Sequence, residues 1–291
     1  MMMRYITLII LTLLLMGCGN DDGQEEAESG AERTPEDEAV EEEAEVPAEE
    51  DAEETETSGE AEESEAAEEA EETGGDFSYE VHPETFQIVP LDEANPEVAL
   101  LTIDDAPDGH AVEMAETLKA LDAGAIFFVN GMFIQDEAGQ EALEEIHGMG
   151  FEIGNHTTTH PYLDQIGPEE TKEEIVGTSD LVEEITGERP RFFRAPFGIN
   201  TEESIRIAGE EGMTLMNWTY GYDWEADYQE PQALADIMVN TEFLTPGANL
   251  LMHDREWTAE ALPDIVNGLE AQGYEIVDPE DIESKEAEGS E

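Results

Sequence analysis

Two histidines stand four residues apart in the run HTTTH, His156 and His160. One helical turn at this spacing would put both imidazoles on the same face, where they can share a metal, and a carboxylate would complete an open three-ligand site. A candidate carboxylate comes from LLTIDDAP, in which an apolar run ends abruptly in Asp104 and Asp105. An unpaired buried carboxylate is too costly to tolerate, so these acids belong at a surface or beside a cation. Successive strand side chains point to opposite sides, which lets one acid hold a metal while its neighbour does something else. Taken singly, each motif has a plainer reading, an acidic turn and a pair of loop histidines. With six histidines in the whole chain, the coincidence of the two motifs gains weight. Two His and one carboxylate leave positions open for water and substrate. A divalent ion is expected, Zn first, with Co, Fe or Mn as alternatives.

These residues need a scaffold that brings them to one place. Apolar, β-rich runs recur at Val98 to Asp105, Ala125 to Asn130, Phe151 to Asn155, Arg191 to Ala195, Met213 to Thr219, Asn249 to His253 and Tyr274 to Val277. Helical periodicity lies between them, over Gly109 to Asp122, Glu137 to Met149, Pro168 to Thr186, Thr201 to Glu211, Pro231 to Asn240 and Thr258 to Gln272. Alternation of this kind predicts a parallel α/β domain, and residues 77–291 suffice for one barrel-sized core. Asp104 and Asp105 close the first strand, Asn130 the second, His156 the third, Arg194 the fourth and His253 the sixth, and Asp223 follows the fifth. The carboxyl ends of strands in such folds share one rim, where active sites are built.

Composition bounds the rest. Arg4, an apolar stretch from Tyr5 to Met16 and then Gly17-Cys18 read as an export signal, too short to span a bilayer. The ending resembles a bacterial lipobox, so Cys18, the single cysteine, is expected to carry a lipid anchor after cleavage of residues 1–17. Between Gly19 and Asp76 lie 28 of the 77 acidic residues and almost no large apolar side chains, the composition of a disordered tether. The other 215 residues of the mature part still hold 49 acids against eight Lys and Arg, which argues against nucleic acid as a partner and for salt screening. A salt-loving or alkaline-growing bacterial source is expected. The organisation expected is a signal peptide (1–17), a lipidated tether (18–76), a catalytic domain (77–283) and a frayed acidic tail (284–291).

TIDDAP, HTTTH, RAPFG, Asp223-Trp224 and LMHD, in this order, resemble the five motifs of the NodB-type polysaccharide deacetylases, carbohydrate esterase family 4. The likeness covers roughly residues 90–278. It implies a distorted barrel of seven β/α units, an activity that removes acetyl groups from N-acetylglucosamine polymers, and a set of roles. Asp104 would be the general base, Asp105, His156 and His160 the metal ligands, His253 the general acid, and Arg194 the group that orients Asp104. The backbone N–H of Phe197 would help the metal stabilise the oxyanion. Amide hydrolysis asks for these parts: an activated water, donors for the developing charge and a proton for the leaving amine.

Phe197 and Trp224 also suit an aromatic wall for sugar rings, and Leu251 a pocket for the acetyl methyl. His82, His110 and His147 carry no motif. Two departures stand out. Ala106-Pro107 replaces the family's usual glycine after the acids, and Tyr220 stands where a further acid is usual, so that the group tuning His253 is either Asp223 or missing. The expected function is a metal-dependent N-deacetylase of peptidoglycan or another wall glycan, monomeric and lipid-anchored on the outer face of the membrane. An O-acetyl esterase of the xylan type and a catalytically silent glycan-binding lipoprotein are the alternatives. Phosphoryl transfer is disfavoured, because no Gly-rich phosphate loop follows the first strand.

Overall fold

The computed structural model describes residues 77–284. The segments expected to be an export signal, a lipid-anchor site at Cys18 and a tether lie outside the described residues, as do residues 285–291. Among the described residues no helix is long and apolar enough to cross a membrane.

In chain order the elements are β1 (Tyr79–Val81), β2 (Ile88–Pro90), β3 (Val98–Ala106), α1 (Ala111–Ala120), β4 (Ile126–Val129), α2 (Glu137–Gly148), β5 (Glu152–Asn155), α3 (Pro168–Thr186), β6 (Phe192–Phe193), α4 (Glu202–Glu210), β7 (Thr214–Leu215), α5 (Pro231–Asn240), β8 (Ala248–His253), α6 (Glu256–Ala271) and β9 (Glu275–Ile276). β1 and β2 form a separate antiparallel hairpin. The other seven strands form one sheet in the order β7-β6-β5-β4-β3-β8, with every pairing parallel. β9 pairs with the first two residues of β3. Because β8 already holds one edge of β3, β9 shares the other edge with β4.

The sheet curls until its ends meet. Beyond β7 the chain crosses to β8, where Thr219 N–H donates to Asn249 O at 2.9 Å and Leu251 N–H donates to Tyr220 O at 2.9 Å. The α/β barrel of seven strands predicted from the sequence is the architecture observed. β6 and β7 are shorter than the apolar runs at Arg191 to Ala195 and Met213 to Thr219 suggest, since each pairs over only two residues before its backbone turns to other partners. The β1–β2 hairpin has no counterpart among the predicted strands.

Alternation along β3 divides the core. Ala99, Leu101 and Ile103 pack outward with the apolar stripes of the helices, whereas Val98 and Leu100 pack inward with Ile126, Phe128, Phe192 and Met216. All of these are buried, which is the pattern of a parallel strand covered on both faces. Helix ends follow local rules: Asp136 caps α2 by accepting from Gly139 N–H, Thr201 and Ser204 form a capping box on α4, and α3 runs from Pro168 to a left-handed Gly187.

Candidate active site

β3 does not end at its acids; it runs through both of them to Ala106. Its register with β4 passes from Ile103↔Phe127 to Ala106↔Val129, three residues on one strand against two on the other. This is a β-bulge, and Asp105 at its centre has φ +60°. The bulge breaks the strict alternation expected of neighbouring strand residues. Both carboxylates therefore reach His156, with Asp104 Oδ2 3.5 Å and Asp105 Oδ1 4.0 Å from its Nε2.

HTTTH is not helical. Thr157 and His160 both have positive φ, 68° and 58°, and the segment is an irregular turn pinned to α3. Glu174 accepts from Thr158 N–H at 2.8 Å, Thr159 N–H at 2.7 Å and Thr159 Oγ1 at 2.7 Å. Asn155 fixes the entry, accepting from Thr157 N–H and donating to Ile175 O and Ser179 Oγ. The turn achieves by these bonds what a helix would have done by periodicity, and the two imidazole centroids lie 4.9 Å apart.

Asp105, His156 and His160 each present a ligand atom within 4.8 Å of the others. His160 Nε2 is 3.7 Å from Asp105 Oδ1. A tetrahedral zinc ion keeps its donors roughly 3.3 Å apart, so a small contraction would seat one. The tautomer also fits. His156 Nδ1–H donates to Arg194 O at 2.7 Å, a carbonyl that can only accept, which leaves the Nε2 lone pair for the cluster. Burial and the neighbouring His156 hold the His160 pKa below its ordinary value.

Behind Asp104 stands Arg194, which is fully buried inside the barrel. All five of its N–H donors are used: Nε on Met216 O, one terminal nitrogen on Thr102 Oγ1 and Asp104 Oδ1, the other on Asn217 O and Asn249 Oδ1. The bond to Asp104 is 2.6 Å and leaves Oδ2 aimed at His156. Underneath, the guanidinium lies 4.2 Å from the centroid of Phe128. That ring has room only because residue 154 is glycine; a Cβ there would stand 2.5 Å from it.

His253 ends β8. Its Nδ1–H donates to Asp223 Oδ1 at 2.8 Å, and its backbone N–H to Asp223 Oδ2 at 2.6 Å. Asp223 is buried and also accepts from Thr258 Oγ1. Burial alone would lower the His253 pKa, but the Asp223 hydrogen bond and charge, with Asp104 and Asp105 nearby, outweigh it and raise the pKa. Tyr220, at the position of the missing acid, turns away, donating to Met238 O among the helices.

A cavity of about 550 Å³ joins these groups. It is lined by Asp104, Asp105, His156, His160, Phe197, Asp223, Trp224, Leu251 and His253; Arg194 stands behind it, and Asn130, the strand-end residue of β4, lies outside it and donates to His156 O and Thr157 O. Trp218, Gln229, Arg255 and Trp257 line it too and carried no motif in the sequence. Phe197 packs edge-on to His160 and stacks at 3.9 Å on Tyr162, an exposed residue that the sequence reading also passed over. Trp224 stands edge-on to His253 across the cavity. His82, His110 and His147 lie elsewhere. Asp254 closes no catalytic contact: it accepts from the N–H groups of Asp108, Gly109 and His110 and so ties the β3 and β8 loops together.

Comparison with known proteins places this arrangement. A family model described as polysaccharide deacetylase matches residues 92–216, stopping short of Asp223 and His253. The peptidoglycan-N-acetylmuramic acid deacetylase PdaC of Bacillus subtilis is 31% identical over 66% of this chain and 40% of its own length. The peptidoglycan-N-acetylglucosamine deacetylase PgdA of Listeria monocytogenes is 32% identical over 65% and 39%. The chain thus spans about two fifths of these two curated relatives. Among solved structures, a pseudoenzyme of carbohydrate esterase family 4 from Bacillus anthracis superposes with a TM-score of 0.58 at 29% identity, covering 64% of this chain and 66% of the other. By its motifs, its barrel and these matches, the chain belongs to the polysaccharide deacetylase family, carbohydrate esterase family 4.

Proposed function

We propose that this protein is a metal-dependent hydrolase that removes N-acetyl groups from a wall polysaccharide, peptidoglycan or another N-acetylglucosamine polymer. The observation that carries the reading is that Asp104, backed by Arg194, and His253, backed by Asp223, line one cavity together with the Asp105/His156/His160 cluster. Two relatives named as peptidoglycan deacetylases support the substrate class.

Asp105, His156 and His160 would hold the divalent ion, zinc in our reading, which polarises a carbonyl oxygen and acidifies a water when bound. Asp104 takes a proton from the attacking water, its Oδ1 held by Arg194 so that Oδ2 faces the cavity. The Phe197 backbone N–H supports the oxyanion. As the carbon–nitrogen bond breaks, His253 gives its proton to the departing amine, and acetate and a free amino sugar result. Leu251 borders the acetyl methyl, and Phe197 and Trp224 form aromatic walls for the sugar rings. With Cys18 lipidated and the acidic segment as spacer, the domain 77–283 would work as a monomer on the outer face of the membrane.

A silent binding role is the second reading, because a structural relative is a pseudoenzyme. The intact set of base, acid and metal ligands speaks for turnover. Acetate release from chitooligosaccharide, wall glycan and acetylated xylan, with and without chelator, tests both. The expected result is chelator-sensitive release from the N-acetylated substrates. No release from any of them in zinc-replete protein would leave the binding role, and release from xylan alone would make it an esterase.

A further inference from the structure

Asp105 has two carboxylate oxygens, and only Oδ1 faces the imidazoles. Oδ2 accepts a hydrogen bond from Arg255 at 2.9 Å. Arg255 is itself anchored, because its other terminal nitrogen donates to Asp254 O at 2.8 Å and to Asp108 Oδ2 at 3.3 Å. One side chain thus joins the turn after β8 to the bulge and loop of β3.

That link answers two local problems. Asp105 sits at a bulge with left-handed backbone, where strand alternation no longer dictates the direction of its side chain. Its neighbours Asp104 and Asp108 carry the same charge. Arg194 engages Asp104 from below and is wholly consumed there, so among the described residues Arg255 is the one arginine or lysine that lines the cavity. We propose that Arg255 is a positioning residue for the metal site: by occupying Asp105 Oδ2 it holds Oδ1 toward His156 and His160. The inference rests on the metal-site reading given above.

Two effects of losing Arg255 oppose each other. Removing a cation beside a divalent ion favours binding, whereas freeing Asp105 disfavours it. The guanidinium is about one third exposed and already balanced by Asp105 and Asp108, so water and these acids screen its repulsion. Its geometric hold acts directly on a ligand. Orientation therefore prevails.

The test is zinc affinity, measured on the full-length protein by competition with a chromophoric chelator. Arg255→Gln is expected to bind about 10–100-fold more weakly than wild type, the usual effect of losing a partner of a metal ligand. Arg255→Lys should fall between, because one ammonium cannot span both Asp105 and the Asp254 carbonyl. The metal-free melting temperature should stay near wild type, and saturating zinc should restore kcat in Arg255→Gln. Should the Gln variant fail to fold, the affinity of the Lys variant decides by the same criterion. Binding as tight as wild type, or tighter, overturns the role of Arg255 while leaving the site reading intact. Absence of stoichiometric zinc in wild type overturns both, with Asp105→Ala as the control that defines background binding.

Discussion

Asp104 and His253 are partners in register across the β3–β8 ladder, and the N–H of the next residue, Asp254, donates to Asp104 O at 3.0 Å. Adjacent strands lie about 4.8 Å apart, so this register puts the proposed base and acid within reach of one acyl group. Each is fixed from behind by an opposite charge, Arg194 for the one and Asp223 for the other. Asp104→Asn should therefore lower kcat by roughly 10²–10⁴-fold, the range of general base catalysis, with zinc content unchanged; the melting temperature should fall as well, because Arg194 loses its buried counter-charge. Retention of activity within threefold of wild type would remove Asp104 from the role.

The Asp223–His253 bond sets a pH limb. An acid catalyst must be protonated, so activity falls as pH rises through the His253 pKa, which lies above the ordinary value of about 6.5. Asp223→Asn removes the charge that raises it, and the falling limb of kcat/KM should move to lower pH. By linkage the same bond contributes stability that is fully present below about pH 6.5 and is lost as pH rises through the folded-state pKa. A limb at the same pH in Asp223→Asn and wild type would assign it to another group.

Arg194 is a structural as well as a catalytic risk. Its five donors satisfy two side-chain oxygens besides Asp104 and two carbonyls inside the barrel. Arg194→Met would leave Asp104 buried without its cation, at a cost of about 3–5 kcal/mol. Arg194→Lys, with three donors, should recover only part of this. Urea unfolding measures it, and a loss below 1 kcal/mol for the Met variant would show that the barrel interior repacks or admits water.

The site was legible in the sequence because a parallel sheet sends its strand ends to one rim, so chemically unusual residues at Asp104, His156, Arg194 and His253 had to converge. What the sequence concealed depends on backbone detail. The bulge at Asp105 leaves no compositional trace, and a helical HTTTH fails because Glu174 and Asn155, from separate elements, supply the bonds that a helix would have made internally. Arg255 and Tyr162 follow known motifs by one or two residues and gain their meaning only from what they touch. Short strands β6 and β7 were overestimated for a related reason: the Arg194 carbonyl accepts from His156, the Met216 and Asn217 carbonyls accept from the Arg194 side chain, and Thr219 N–H donates to β8.

Residues 77–291 contain five arginines, and every one is committed. Arg194 and Arg255 serve the site. Arg189 meets Asp180, Glu183 and Glu211, Arg191 meets Glu152, and Arg206 meets Glu203 and Glu210. With 49 acids against eight Lys and Arg over these residues, most carboxylates have no cation to pair with, and their repulsion is long-ranged. Raising ionic strength from 0.01 M to 1 M shortens the Debye length from about 30 Å to about 3 Å, which abolishes that repulsion. The same salt weakens the exposed pairs of Arg189 and Arg206, but such pairs contribute little and are few. The buried Arg194–Asp104 pair is hardly screened. Melting temperature should therefore climb steadily with added salt, similarly for NaCl and KCl if screening is the cause. A melting temperature that is flat or falls between 10 mM and 1 M would mean that the carboxylates are already neutralised by pairing or by spacing.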